Sequence, residues 1–292
     1  GYQNKVSPYN YYYDYISTYK QFTQRHLHML QAPVYEQSDS INYLMNLAIF
    51  NIFCEQIDVK KYTQSVETIP FQYNFDDPQG NRDFSSTFVT RLLATHHGNC
   101  RSFTYLYKIL ADEIGAKCWL ALAPNHIYIR NYSKKVGWYN TELTSGTFPT
   151  DAWIAASGYV SADAIRNGIY MDTLSNQQSI GLCILDLAHG YIRQTNNYTD
   201  GFVIKCCDLV LQYHPVNPMA LLLKGEVLKR LYLSQRKEQN TLVQDTYSKM
   251  QDVYAQLIQL GYREMPEKMY LKWLSSLIKE KSKSQEKSSH LK

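Results

Sequence analysis

The feature that most constrains this chain is a change of hydrophobic period near residue 116. In RSFTYLYKILADEIGA (101–116), Phe103, Leu106, Tyr107, Leu110 and Ile114 recur at spacings of three and four, which marks one buried helical face. Gly115 is the expected helix stop. Beyond it the pattern becomes strand-like. KCWLALA (117–123) is apolar, Pro124 and Asn125 interrupt it, and HIYIR alternates from His126. Asn131 to Lys135 form a polar turn, and VGWYNTELT (136–144) alternates again before Gly146. The reading is a helix followed by three neighbouring antiparallel strands, with His126 opening the second strand and Glu142 within the third.

Cys100 stands at the start of that helix, directly after Gly98 and Asn99. A cysteine nucleophile needs a depressed pKa, a base, and a group that orients the base. The dipole at a helix N-terminus favours a thiolate. The N–H of Cys100 and those beside it would face developing negative charge, as an oxyanion hole requires. His126 is the candidate base, and Glu142, on the next strand, the candidate orienter. Asn140 shares the expected face of Glu142 and is the rival orienter, while Asn125 is a candidate polar contact near the oxyanion. His96, His97 and Cys100 are close enough in sequence to raise zinc, but adjacent histidines diverge and no fourth ligand has suitable spacing. Neither a metal nor a cofactor is expected.

The flanks are helical. Residues 11 to about 32 carry Tyr15, Tyr19, Phe22, His26 and Met29 at roughly helical spacing, up to Pro33. Residues 38–57 read as a second helix, capped by Ser38 or Asp39, with Leu44, Leu47, Ala48 and Ile52 along one side. The segment 58–80 is polar and reads as an irregular insert; 82–95 reads as one short helix. Thr150 or Asp151, then Ser161, would cap two short helices. From Ser179 onward five helical stretches follow, ending in MPEKMYLKWLSSLIKEK. Within them the junction YHPVNPMA (213–220), with Gly225 beyond it, is similar to a tetratricopeptide repeat: a helix pair, a proline at the junction and a small residue where two helices approach. The expected organisation is a lead-in over 1–80, a core over 81–178, a helical array over 179–280 and a disordered basic tail over 281–292.

The block HHGNCRSFTYLYKILADEIGAKCWLALAPNHIYIR, continued by GWYNTELTSG, resembles the transglutaminase-like superfamily. Gly98–Asn99–Cys100 matches its Gly-x-Cys at a helix start, and Asn125–His126 its strand histidine. Glu142, followed by Thr144, takes the place of its usual Asp. Within that superfamily the chain resembles the SirB1-like proteins, which join such a core to tetratricopeptide-type helices. The resemblance implies an α+β fold with a cysteine-protease-like (papain-like) core, a helix packed on a small antiparallel sheet, followed by an all-helical array. It implies a thiol enzyme: acyl transfer on an amide, with Cys100 as nucleophile, His126 as base and Glu142 as orienter. Hydrolysis of a protein or peptide substrate is favoured over cross-linking, since no calcium loop of spaced acidic residues is present. An oxyanion contributor upstream of the cysteine is also implied, for which His97 and Gln56 are the candidates. The alternative is a non-catalytic scaffold that binds a protein partner on the helical array.

Composition excludes some classes. The formal net charge of +4 is carried mostly by the segment 268–292, which leaves no basic surface for nucleic acid. No stretch reaches the length of a membrane span. The six cysteines are scattered without staple-like spacing, so free thiols are expected. Gly1 in place of an initiator Met suggests a processed chain, hence an extracytoplasmic location after loss of a targeting segment, with the cytoplasm as the alternative.

Overall fold

The computed structural model describes residues 9–30, 38–61, 64–239, 241–276 and 279. Pro33 and the 281–292 tail lie outside them. The chain is a mixed α+β protein with small antiparallel and parallel sheets and a long helical array. It divides into two compact units, one formed by residues 1–158 together with 266–292, the other by 159–265. The boundary thus falls at Gly158–Tyr159, earlier than the 178–179 break read from the sequence, and the 1–80 lead-in belongs to the core unit. Among the described residues no helix is long and apolar enough to cross a membrane.

The first unit is built around α4 (Cys100–Ile114) and the antiparallel sheet β5 (Trp119–Ala123), β6 (His126–Ser133) and β7 (Gly137–Thr141). Leu106, Tyr107 and Leu110 of α4 are fully buried, as are Leu120 and Ile129 of the sheet. Gly115 closes α4 in the left-handed conformation, φ 79°, where glycine has no Cβ penalty. α2 (Ser40–Cys54) packs on α4: the Tyr107 hydroxyl donates to Asn46 O at 2.9 Å, and the Asn46 side chain donates to Lys117 O at 3.1 Å, fixing where β5 begins. The buried side of α2 is Asn46, Ala48, Ile49, Phe50, Ile52 and Phe53, while Leu44 and Leu47 stay half-buried. Asp39 occupies the N-cap but makes no cap bond, because its carboxylate accepts the Lys134 N–H at 2.7 Å instead. α1 (Tyr9–Met29) lies beside α2, with Tyr19 and Thr23 buried.

The 58–80 insert is more ordered than its polarity suggests. It holds the hairpin β1 (Asp58–Lys61) and β2 (Gln64–Glu67), then β3 (Gln72–Tyr73). β3 pairs in parallel with β4 (His97–Gly98), placing Tyr73 opposite Gly98. The DDPQG stretch is pinned by Asp77, whose carboxylate accepts the N–H groups of Asn81, Arg82 and Asp83. Residues 82–95 are not one helix. Phe88 is extended and separates a 3-10 turn, Phe84–Thr87, from α3 (Val89–Thr95). α5 (Asp151–Ser157) follows the sheet and is capped by Thr150.

The second unit stacks helices in sequence: α6 (Ala162–Arg166), capped by Ser161, then α7 (Asn176–Thr195), α8 (Phe202–Tyr213), α9 (Pro218–Lys237) and α10 (Val243–Gln259). From α7 onward each packs on the next, and Leu221, Leu228, Met250, Val253 and Leu257 form one of its apolar clusters. Gly225 permits the α9–α10 approach, since a Cβ there would stand 3.0 Å from the Tyr254 ring. The stretch read as a fifth member of this array is different. Its described helical part, 267–276, belongs to the first unit, where Tyr270, Trp273 and Leu274 are buried.

Candidate active site

The start of α4 is fixed by hydrogen bonds that its own sequence supplies. Asn99 is the N-cap: its Oδ1 accepts the Arg101 N–H at 3.0 Å, and Ser102 Oγ accepts the Asn99 N–H at 3.1 Å, completing a capping box. Ser102 Oγ also donates to Ser86 O at 2.8 Å, tying the helix start to the 3-10 turn. Gly98 sits against this network, and a Cβ there would collide with Ser102 Oγ. Cys100 is therefore the first residue of a rigidly seated helix, with its thiol facing the β5–β6 hairpin.

That hairpin supplies the partners. Ala123 pairs with His126 across a tight turn in which Asn125 takes a left-handed conformation, φ 56°. His126 Nε2 bonds Glu142 Oε2 at 2.7 Å. Glu142 lies one residue past β7 rather than within it, in an isolated bridge: its N–H donates to Thr147 O at 2.9 Å and its carbonyl accepts the Thr147 N–H at 3.0 Å. Its other carboxylate oxygen, Oε1, accepts the Thr144 N–H at 2.8 Å. With Nε2 held by Glu142, the nitrogen left for Cys100 is Nδ1, which is buried and has no hydrogen-bond partner among the described residues; thiol and ring influence each other electrostatically. The Ile127 N–H donates to the Cys100 sulfur. Cys100, His126 and Glu142 are 6%, 5% and 3% exposed, so these interactions operate with little screening by water.

The electrostatics follow. Burial alone raises the Cys100 thiol, but the charge of His126, the nearby Arg101 guanidinium and the Ile127 N–H together bring it below an ordinary thiol. Burial lowers His126, yet the Glu142 charge and then Cys100 outweigh it and hold the imidazole above its usual range. The two groups are thus displaced toward a thiolate–imidazolium pair. The other thiols contrast with this. Cys118, Cys183, Cys206 and Cys207 are all pushed up by burial, Cys118 to about 12. All six cysteines are free.

The supporting residues read from the sequence lie elsewhere. Asn140 donates to Pro149 O at 3.0 Å and to Asp151 Oδ1 at 2.7 Å, in a network with Arg130, and does not orient the imidazole. The reason is register: Asn140 pairs with Arg130 inside the β6–β7 ladder, whereas Glu142 has left it. His97 is exposed with Nδ1 on Thr95 O, and exposed Gln56 donates to Glu67 Oε2 at 2.6 Å, so neither meets Cys100. Asn125 is exposed in its turn. His96 binds Ile69 O and Tyr19 Oη, diverging from His97. Among the described residues no cluster of three or more His, Cys, Asp or Glu side chains could hold a metal ion.

Three aromatic residues beside the trio carry no signal in the local sequence pattern. Trp273 presents its ring edge-on to His126, centroids 4.6 Å apart, and its Nε1–H donates to Ser157 Oγ at 3.0 Å. Tyr270 stacks on Trp273, and its hydroxyl meets that of Tyr73 at 3.5 Å. Tyr270 and Trp273 look like an ordinary apolar stripe at helical spacing; only the parallel β3–β4 pairing and the return of 267–276 bring all three here. Compared with models of known families, with curated proteins and with solved structures, the chain matches none.

Proposed function

We propose that this protein is a cysteine-dependent acyl-transfer enzyme acting on amides, with hydrolysis of a peptide or protein amide as its reaction. The observation that carries this reading is the buried Cys100–His126–Glu142 chain, in which the thiol is lowered while the imidazole is raised. The resemblance of residues 96–145 to the transglutaminase-like superfamily, carried by the same three residues, agrees with this reading, and the tetratricopeptide-type likeness of the array belongs to it.

In this mechanism the Cys100 thiolate attacks the amide carbonyl carbon, an S–C bond forms, and the carbonyl π pair moves to oxygen. The oxyanion collapses, the C–N bond breaks, and His126 delivers its proton to the departing nitrogen, leaving a thioester. Water then adds to the thioester while His126 takes its proton, and the carboxylic acid leaves as the S–C bond breaks. Glu142 keeps the ring oriented and favours its charged form throughout.

The low exposure of Cys100 favours a second reading, a scaffold whose thiol is a relic of the core. One experiment separates the two. Alkylation of Cys100 by iodoacetamide is followed by mass spectrometry against pH in the full chain. The enzyme reading expects reaction at pH 6 well above that of an ordinary cysteine, falling roughly a hundredfold in His126→Ala, about two pKa units. Reaction at pH 6 no faster than an unperturbed thiol, or unaffected by His126→Ala, would leave the scaffold.

A further inference from the structure

Tyr73 and Tyr270 stand 197 residues apart in sequence, yet their hydroxyls meet beside the thiol site. Each ring is placed by a different wall. Tyr73 lies opposite Gly98 in the β3–β4 pairing and sits edge-on to Phe103, 5.9 Å between centroids, on the α4 side. Tyr270 stacks on Trp273, whose edge touches His126, on the sheet side. The hydroxyl pair therefore spans the gap between the element that carries Cys100 and the one that carries His126.

Both phenols are buried, Tyr270 completely. Two hydroxyls bring two protons, and the bond between them uses one. Among the described residues neither hydroxyl has another hydrogen-bond partner, so whichever oxygen donates, one buried O–H is left over. An unsatisfied buried donor is costly, and one that persists calls for an explanation. Acceptor charge is at hand: after burial itself, the charges of Cys100 and Glu142 are among the influences that push both phenols well above their ordinary range. Glu142 already spends both carboxylate oxygens on His126 and Thr144, whereas a Cys100 thiolate can still accept.

We propose that the helix at 267–276 completes the thiol site, and that the spare O–H of the Tyr73–Tyr270 pair, which makes no hydrogen bond to the sulfur in this structure, turns to the anion once Cys100 is charged. The remaining groups that face that sulfur are His126 from β6, the Ile127 N–H beside it, and Arg101 from α4 itself. The pair adds a neutral donor to two cationic ones. It stabilises negative charge without supplying a competing proton at neutral pH, since both phenols stay protonated there.

This proposal rests on the thiol reading, and its test keeps the two apart. The pH–rate profile of Cys100 alkylation is measured in the full chain for the wild type, Tyr270→Phe, Tyr73→Phe and the double variant. Removing whichever hydroxyl faces the sulfur should shift the titration of Cys100 upward by about one unit, cutting the rate at pH 6 roughly tenfold while leaving the alkaline plateau unchanged; removing the other leaves that O–H in place and should shift it less. The double variant should be little worse than the more affected single one, because the pair acts as a unit. An unchanged profile in both single variants would overturn the proposal, as would a rate that rises equally at every pH, which means the helix only covers the thiol. If His126→Ala leaves the profile unmoved, the thiol reading itself has failed. If His126→Ala moves it and neither tyrosine variant does, only the hydroxyl donor is lost.

Discussion

Two helices in this protein begin in nearly the same way and end up with different capabilities. α4 and α9 are each capped by a buried asparagine, Asn99 and Asn217, whose side-chain oxygen accepts a backbone N–H. A buried histidine lies close to each start: His126 faces Cys100, and His214 bonds the Asn217 side chain at 3.1 Å. The differences lie in the first helical residue and in the partner of the histidine. α4 opens on Cys100, α9 on Pro218, which fits N1 because the N–H it lacks has no helical partner there. His126 meets a carboxylate and is raised; His214 meets an amide, and burial lowers it despite the distant pull of Asp172. A helix N-terminus alone therefore makes no reactive site. On the proposed reading it becomes one where a charged partner keeps the histidine protonated and an unblocked nucleophile stands at the first turn.

The contrast can be tested at its strongest point first. Glu142→Ala removes the carboxylate and leaves a buried imidazole without its partner, which should cost about 3–5 kcal/mol in urea unfolding. Asn217→Ala removes a neutral cap and should cost about 1–2 kcal/mol. Equal losses would mean that the His126–Glu142 pair is no more than a second cap. The glycines give the next largest difference. Gly98→Ala forces a Cβ against Ser102 Oγ inside the capping box and should cost about 2–3 kcal/mol. Gly225→Ala crowds the Tyr254 ring but gains helix propensity, and should stay within about 1 kcal/mol of the parent.

The smallest effect is in the pH dependence. His126 is raised in the folded state, so its contribution is fully present below the ordinary histidine pKa and is lost as pH rises from there through the raised folded value. His214 is lowered, so the unfolded chain takes up its proton first and stability declines as pH falls below the ordinary value. His214→Gln should flatten the acid limb of a stability–pH curve from pH 7 to 5 and leave the alkaline limb alone. A change on the alkaline limb would contradict the assignment of opposite signs.

Much of the first unit is legible in the sequence because its determinants are local. The period of α4, its Gly115 stop, the cap at Thr150 and the switch to alternating strands all lie within a few residues of what they specify. The bond between His126 and Glu142 follows from that order, although Glu142 reaches the ring from a bridge beyond the strand, so strand parity misplaces Asn140 as its rival. What is not legible is set at long range. Polar β1–β3 have no apolar alternation to announce them, and β3 exists through its pairing with β4. Tyr270 and Trp273 have the spacing of any buried helix face, so nothing local distinguishes a helix of the array from one that returns to the core.

That return sets an order of assembly. The helix at 267–276 is made only after the whole of 159–265 has been synthesised. A nascent chain that has already formed α4 and the β5–β7 sheet still lacks Tyr270 and Trp273. During translation the thiol of Cys100 is therefore attached to an unfinished enclosure, and the growing polypeptide passes through a stage in which its most polarised cysteine lacks its final cover.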